Sequence, residues 1–152
     1  LADHAAGKGF LVYLCGGPAR LERDLAAEIQ RLSRSKPVDL VGQTNLKQLL
    51  ALIKEASLVL APDTGPAHMA TLVGTPVIGL YAHHNPDRTG PYLCREHAVS
   101  VYQELIEQET GKPLAALDWR TRLKDPDAMR KITSERVIAA FDRLCAERQL
   151  PG

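Results

Sequence analysis

The chain has 152 residues, 45% hydrophobic and 24% charged, and its 19 basic and 18 acidic side chains leave a net charge of +1. That length suits one compact domain with a core, and the charge balance excludes a global field that would gather nucleic acid or an anionic membrane. Cys15, Cys94 and Cys145 are odd in number and widely spaced, which argues against a disulfide framework or a zinc site and fits a reducing cytosol.

No apolar run approaches the ~20 residues that span a bilayer, and no signal-peptide pattern is visible. Residues 1–9 read as the tail of a helix, and position 1 is Leu rather than Met, so the chain is expected to be part of something longer. Residues 10–15 form an apolar run stopped by Gly16, Gly17 and Pro18, the pattern of a buried strand and a turn. Leu21, Leu25, Ile29 and Leu32 recur at helical spacing within residues 19–33. A second strand is expected over 38–41. Asn45 is placed to cap a helix carrying Leu46, Leu49, Leu50 and Ile53. Residues 57–61 read as a third strand, 66–73 as a short helix stopped at Gly74, and 75–81 as a fourth strand. Beyond Tyr81 the alternation weakens: a loop over 82–96, a helix over 99–108, irregular chain over 112–126, and a closing helix over 134–148. In that last helix Ser134 would cap a stripe of Val137, Ile138, Phe141 and Leu144.

Apolar strands alternating with helices predict an α/β fold, a Rossmann-like parallel sheet covered by helices on both faces. Such sheets bind ligands at the carboxyl ends of their strands. The informative stretch is therefore the one from Val59 to Thr71, where Asp63, Thr64, Gly65 and Pro66 join a strand to a helix. The first amides of a helix lack internal partners and carry the positive end of its dipole, so an anion such as a diphosphate is stabilised there. Gly65 has no Cβ to hold a ligand off the backbone, and Thr64 adds a hydroxyl. Asp63 would repel a phosphate, by about 4 kcal/mol for unit charges 4 Å apart at an effective dielectric near 20. It is better suited to capping the helix or accepting from sugar hydroxyls. Asp-Thr-Gly-Pro is also simply a good helix start, and His68, four residues after Thr64, can serve either the phosphates or the loop.

These residues resemble a family. Asp63-Thr64-Gly65-Pro66-x-His68-x-Ala70, preceded by Gly42-x-Thr44-x-Leu46 and followed by Gly74-Thr75-Pro76-Val77, is similar to the donor-binding domain of the ADP-heptose lipopolysaccharide heptosyltransferases, glycosyltransferase family 9. Leu14 to Pro18, Asn85 to Tyr92, and Trp119 and Met129 before the closing helix extend the resemblance over most of residues 10–148. It implies the C-terminal half of a two-lobed GT-B enzyme, with residues 1–152 forming the donor domain, cut at its N-terminal edge and without the acceptor domain. Transfer of heptose from ADP-heptose to a lipid A–Kdo acceptor would invert the anomeric centre without a metal or other cofactor, at the cytoplasmic face of the bacterial inner membrane. By position, Thr64, Gly65 and His68 would hold the diphosphate, and Asp63 would meet the sugar or fix the loop. Thr44 would lie near the nucleoside. Gly16 and Gly17 would open the nucleotide site, with Glu22 as a ribose acceptor or a solvated helix charge. The catalytic base would belong to the other half, and this piece alone would show no transfer and at best weak ADP binding.

Two departures stand out. The family's Gly-Pro-Thr after the last strand is replaced by Ala82, His83 and His84, a poor metal ligand set without neighbouring Cys or carboxylates and more naturally a solvated or sugar-facing loop. The family's opening strand and phosphate-contacting Lys are absent. Two other classes fit parts of the pattern. A nucleotide-sugar epimerase half would need acid/base groups that cannot be assembled here. A receiver-type phosphate-binding module would need an acidic pair for Mg²⁺ where the first strand instead ends in Gly16 and Gly17.

Overall fold

The computed structural model describes residues 1–150, which divide into two compact units: Leu1–Leu52 with the chain from Cys145 onward, and Ile53–Leu144. In the first unit α1 (Ala2–Gly7) is followed by β1 (Tyr13–Leu14), α2 (Arg20–Leu32), β2 (Val38–Asp39) and most of α3 (Leu46–Glu55). Strands β1 and β2 pair in parallel, Tyr13 with Val38 and Leu14 with Asp39. Both are shorter than the apolar runs predict, but Val38 N donates to Val12 O, Leu40 N to Leu14 O and Gly42 N to Gly16 O. The ladder thus carries the backbone to the Gly16 turn.

Polar side chains fix the ends of these elements. The Asp3 carboxylate accepts from the Ser35 amide, the Ser33 hydroxyl and the Arg34 amide, and these bonds, the Ser35 amide first, hold its carboxyl well below the usual carboxylate range. Asn45 caps α3 as its position predicts. Its Oδ1 accepts from Gln48 N and Gln48 Oε1 accepts from Asn45 N, both at 2.9 Å, a reciprocal capping box. The expected apolar cover is incomplete in this unit, because Leu21, Leu25, Ile29 and Leu32 of α2 and Leu11, Tyr13 and Val38 beside it remain exposed.

The second unit begins within α3 and holds β3 (Val59–Pro62), α4 (Gly65–Val73), β4 (Val77–Tyr81), α5 (Pro86–Thr89), β5 (Val99–Ser100), α6 (Tyr102–Thr110) and most of α7 (Ser134–Arg148). Its sheet runs β3-β4-β5, parallel throughout. The central strand β4 is buried over most of its length, as parallel strands covered on both faces are. Gly74 stops α4 as expected: at φ 80° it adopts the left-handed cap that favours glycine.

Three expectations need correction. Val99 and Ser100 are strand, not helix. They extend the sheet beside Leu80 and Tyr81, and the helix starts at Tyr102, because Val99 and Val101 are both buried at the two-residue spacing of a strand face. The loop over 82–96 contains α5, a single turn with Asn85 Oδ1 accepting from Asp87 N and Pro86 at its start. The capping hydroxyl of α7 belongs to Thr133, whose Oγ1 accepts from Arg136 N, one residue ahead of Ser134. The irregular chain after α6 closes the core. Tyr102 donates to Thr121 O at 2.6 Å, and Leu123 packs with Ala82, Val101, Tyr102, Ile106 and Ala128.

Candidate functional site at the carboxyl end of the second sheet

Parallel strands bring their carboxyl ends to one edge, so the residues after β3 and after β4 become neighbours although about twenty positions separate them. Thr64 is the N-cap of α4, in extended conformation, with its hydroxyl donating to Pro62 O at 3.2 Å and no side chain capping the helix. Nothing lies within 4 Å of where a Cβ on Gly65 would stand. The start of a nine-residue helix is therefore open to approach, with its dipole unopposed by a carboxylate cap.

Asp63 does not cap that helix, contrary to one of its two expected roles. Its Oδ2 accepts from Thr89 Oγ1 at 2.9 Å and meets His84 Nδ1 at 3.0 Å, while its Oδ1 stands 3.9 Å from His68 Nε2. The carboxylate is 18% exposed, His84 33% and His68 60%. A largely buried carboxylate is thereby hydrogen-bonded and faced by two imidazoles, as a buried charge must be. His83 has other partners: its Nε2 lies 2.9 Å from Asp125 O and its own carbonyl accepts from Leu123 N. A cleft of about 230 Å³ is lined by Asp63, His83, His84 and Arg122 together with the apolar Leu80 and Met129.

Behind this edge lies Tyr81, 1% exposed, whose hydroxyl has no hydrogen-bond partner among the described residues. Burial, and secondarily the Asp63 charge, push its phenol up to about 12. A folded-state value above the unfolded one means that the fold tolerates this hydroxyl better neutral than ionised, so stability is unaffected by its titration below pH 10 and falls as pH rises from 10 towards 12. The loss is about 2–3 kcal/mol, from two pH units at 1.36 kcal/mol each. Tyr81→Phe is expected to flatten the stability profile across that window. At neutral pH it should stabilise by about 1 kcal/mol or more, because it removes an unsatisfied buried hydroxyl. Urea unfolding at pH 7 and pH 11 checks both; an alkaline loss unchanged in Tyr81→Phe would assign it to another group.

The remaining expected site residues stand in the first unit. Gly16 and Gly17 form the turn after β1, where Gly17 N donates to Glu22 Oε2 at 2.6 Å. A Cβ on Gly16 would lie 2.5 Å from that oxygen, so glycine here lets Glu22 fold back over the turn. Glu22 is neither purely solvated nor free with both oxygens for a ribose, since one of them is engaged. Thr44 sits half-buried in the turn ahead of α3. The structure thus joins Asp63, Thr64, Gly65 and His68 in one unit, and Gly16, Gly17 and Glu22 in the other. His84 and Thr89 were not singled out as Asp63 partners from sequence, yet the signal existed: both follow the strand that pairs with β3. Among the described residues no group of three His, Cys, Asp or Glu side chains is placed to hold a metal ion, and no helix is long and apolar enough to cross a membrane.

Comparison with known proteins gives a consistent result. The profile of glycosyltransferase family 9 (heptosyltransferase) matches residues 1–117. The chain is 49% identical over 133 residues to the lipopolysaccharide core heptosyltransferase OpsX of Haemophilus influenzae, covering 88% of this chain and 38% of that protein. It is 28% identical over 151 residues to lipopolysaccharide heptosyltransferase 2 of Escherichia coli, covering 98% and 41%. In fold it is similar to a glycosyltransferase family 9 structure from Veillonella parvula (TM-score 0.73, 24% identity, 96% of this chain and 39% of that one). The E. coli ADP-heptose LPS heptosyltransferase II structure gives 0.69, 22%, 97% and 40%. These likenesses bear out the parallel α/β architecture, and the chain spans about two fifths of the length of the relatives it matches.

Proposed function

The chain belongs to glycosyltransferase family 9, the heptosyltransferases, and on that footing we propose that it is the donor-binding half of a GT-B enzyme that moves heptose from ADP-heptose to a lipid A–Kdo acceptor of the lipopolysaccharide inner core. The observation that carries this reading is the open start of α4, where the Gly65 backbone is unobstructed and no side chain caps the helix. Thr64 and Gly65 take the diphosphate on their amides and the Thr64 hydroxyl, with His68 at the rim. As the glycosidic bond breaks, the departing ADP gains charge, and the helix start stabilises it with donors already in place. The sugar lies toward Asp63. The proton of the acceptor hydroxyl leaves to a base in the other half of the enzyme, and transfer is inverting and needs no metal or cofactor. The lipid-linked acceptor places the reaction at the cytoplasmic face of the inner membrane. Family membership leaves the epimerase and receiver readings without support.

Titration with ADP, UDP and GDP tests the reading. ADP should bind most tightly, and Thr64→Ala should weaken it about tenfold, the loss of one hydrogen bond to a charged group. Equal affinity for the three nucleotides, or ADP binding indifferent to Thr64→Ala, would count against it.

A further inference from the structure

We propose that His84 reads the sugar of the donor: with Nδ1 held by Asp63, the opposite ring nitrogen, Nε2, accepts a hydrogen bond from a hydroxyl of the group being transferred. This rests on the diphosphate reading of the α4 start. Nδ1 lies 3.0 Å from Asp63 Oδ2, so a ring N–H there donates to the carboxylate, and the neutral tautomer with its proton on Nδ1 presents Nε2 as an acceptor in a fixed direction. No described residue meets Nε2. Asp63 is itself steadied by Thr89 Oγ1. The peptide before His84 is clamped through the bond from Leu123 N to His83 O and the contact of the His83 ring with Asp125 O. The imidazole is thus held from both sides before any ligand arrives, which is what a specificity contact needs.

Position selects the sugar as the group it meets. The cleft lined by His84 adjoins Asp63, the residue immediately before Thr64, and the sugar is joined directly to the diphosphate seated there. A second hollow, lined by His68, Met69, Thr71, Leu72 and Tyr92, is mostly apolar and offers few partners to a hydroxyl-dense ring. Of the two, only the first is lined by a carboxylate, a hydrogen-bonded imidazole and an arginine. Asp63 then acts on the sugar through His84, as a positioning residue.

The test compares ADP with ADP-heptose on the complete enzyme of which this chain is the proposed donor half, as wild type, His84→Asn and His84→Ala, by NMR titration with ¹⁵N-labelled histidine. Asn reproduces the donor at Nδ1 and keeps the Asp63 bond but has nothing at Nε2, so a purely structural His84 predicts wild-type behaviour for it. A sugar-contacting His84 predicts about tenfold weaker ADP-heptose binding in both variants, unchanged ADP binding, and an Nε2 resonance that moves with ADP-heptose but not ADP. Wild-type ADP-heptose affinity in His84→Asn, or ADP-heptose binding no tighter than ADP in the parent, overturns the inference and leaves the α4 reading standing. Absence of ADP binding overturns both.

Discussion

Gly65→Asp is expected to leave the fold as stable as before, or slightly more so, while weakening ADP binding by about a thousandfold. The two effects separate because one change acts with opposite signs on fold and ligand. A carboxylate in the first turn of α4 complements the helix dipole, worth about 0.3–1 kcal/mol in favour of the fold, and the site has room for it, with nothing within 4 Å of the added Cβ. The same carboxylate stands where the diphosphate would sit. Two unit charges about 4 Å apart at an effective dielectric near 20 repel by about 4 kcal/mol, close to three factors of ten in affinity. Thermal unfolding and calorimetric titration with ADP read the two quantities separately. If Asp-Thr-Gly-Pro is only a good helix start, the stability gain appears and ADP affinity does not change.

How far the sequence reveals this arrangement depends on the range of the interactions concerned. Helices α2, α3 and α7 were legible because their apolar residues repeat at helical spacing, and the Asn45 cap because its partner Gln48 is three residues away. The start of α4 was legible for the same local reason. Strand β5 was not: two residues carry no periodicity, and Val99 becomes strand only because β4 offers an edge to pair with. The Asp63–His84 contact joins residues separated by α4 and β4, just past the ends of two paired strands, so it exists only once the register Pro62 to Leu80 is set. Glu22 shows the converse. Read alone it is a helix-surface charge, and its bond to Gly17 follows from a turn whose glycines leave room for it. The unfilled stripe on α2 shows that an apolar pattern predicts a face to be covered without saying what covers it.

Gly79→Ala should cost about 3 kcal/mol, far more than one methyl group suggests. Residues 79 and 81 of β4 point to the same face of the sheet, and the Tyr81 ring leans back over Gly79. A Cβ there would lie 2.5 Å from Cε2, 2.8 Å from the hydroxyl oxygen and 3.0 Å from Cζ. Tyr81 is 1% exposed, so the ring has nowhere to swing, and overpacking of this kind costs about 1–3 kcal/mol before any loss of aromatic burial is counted. Glycine in the middle of a buried strand therefore marks a close approach rather than flexibility. The decisive measurement is a double-mutant cycle. Tyr81→Ala is destabilising by itself, but in that background Gly79→Ala should cost almost nothing, giving a coupling of about 2 kcal/mol or more. Additive costs would mean that the alanine strains the β4 backbone and not the ring. Because β4 leads directly into the His83 and His84 loop, Gly79→Ala should also weaken ADP-heptose binding along with stability. Gly65→Asp, by contrast, removes binding and leaves stability intact, and that difference separates damage to the scaffold from damage to the phosphate site.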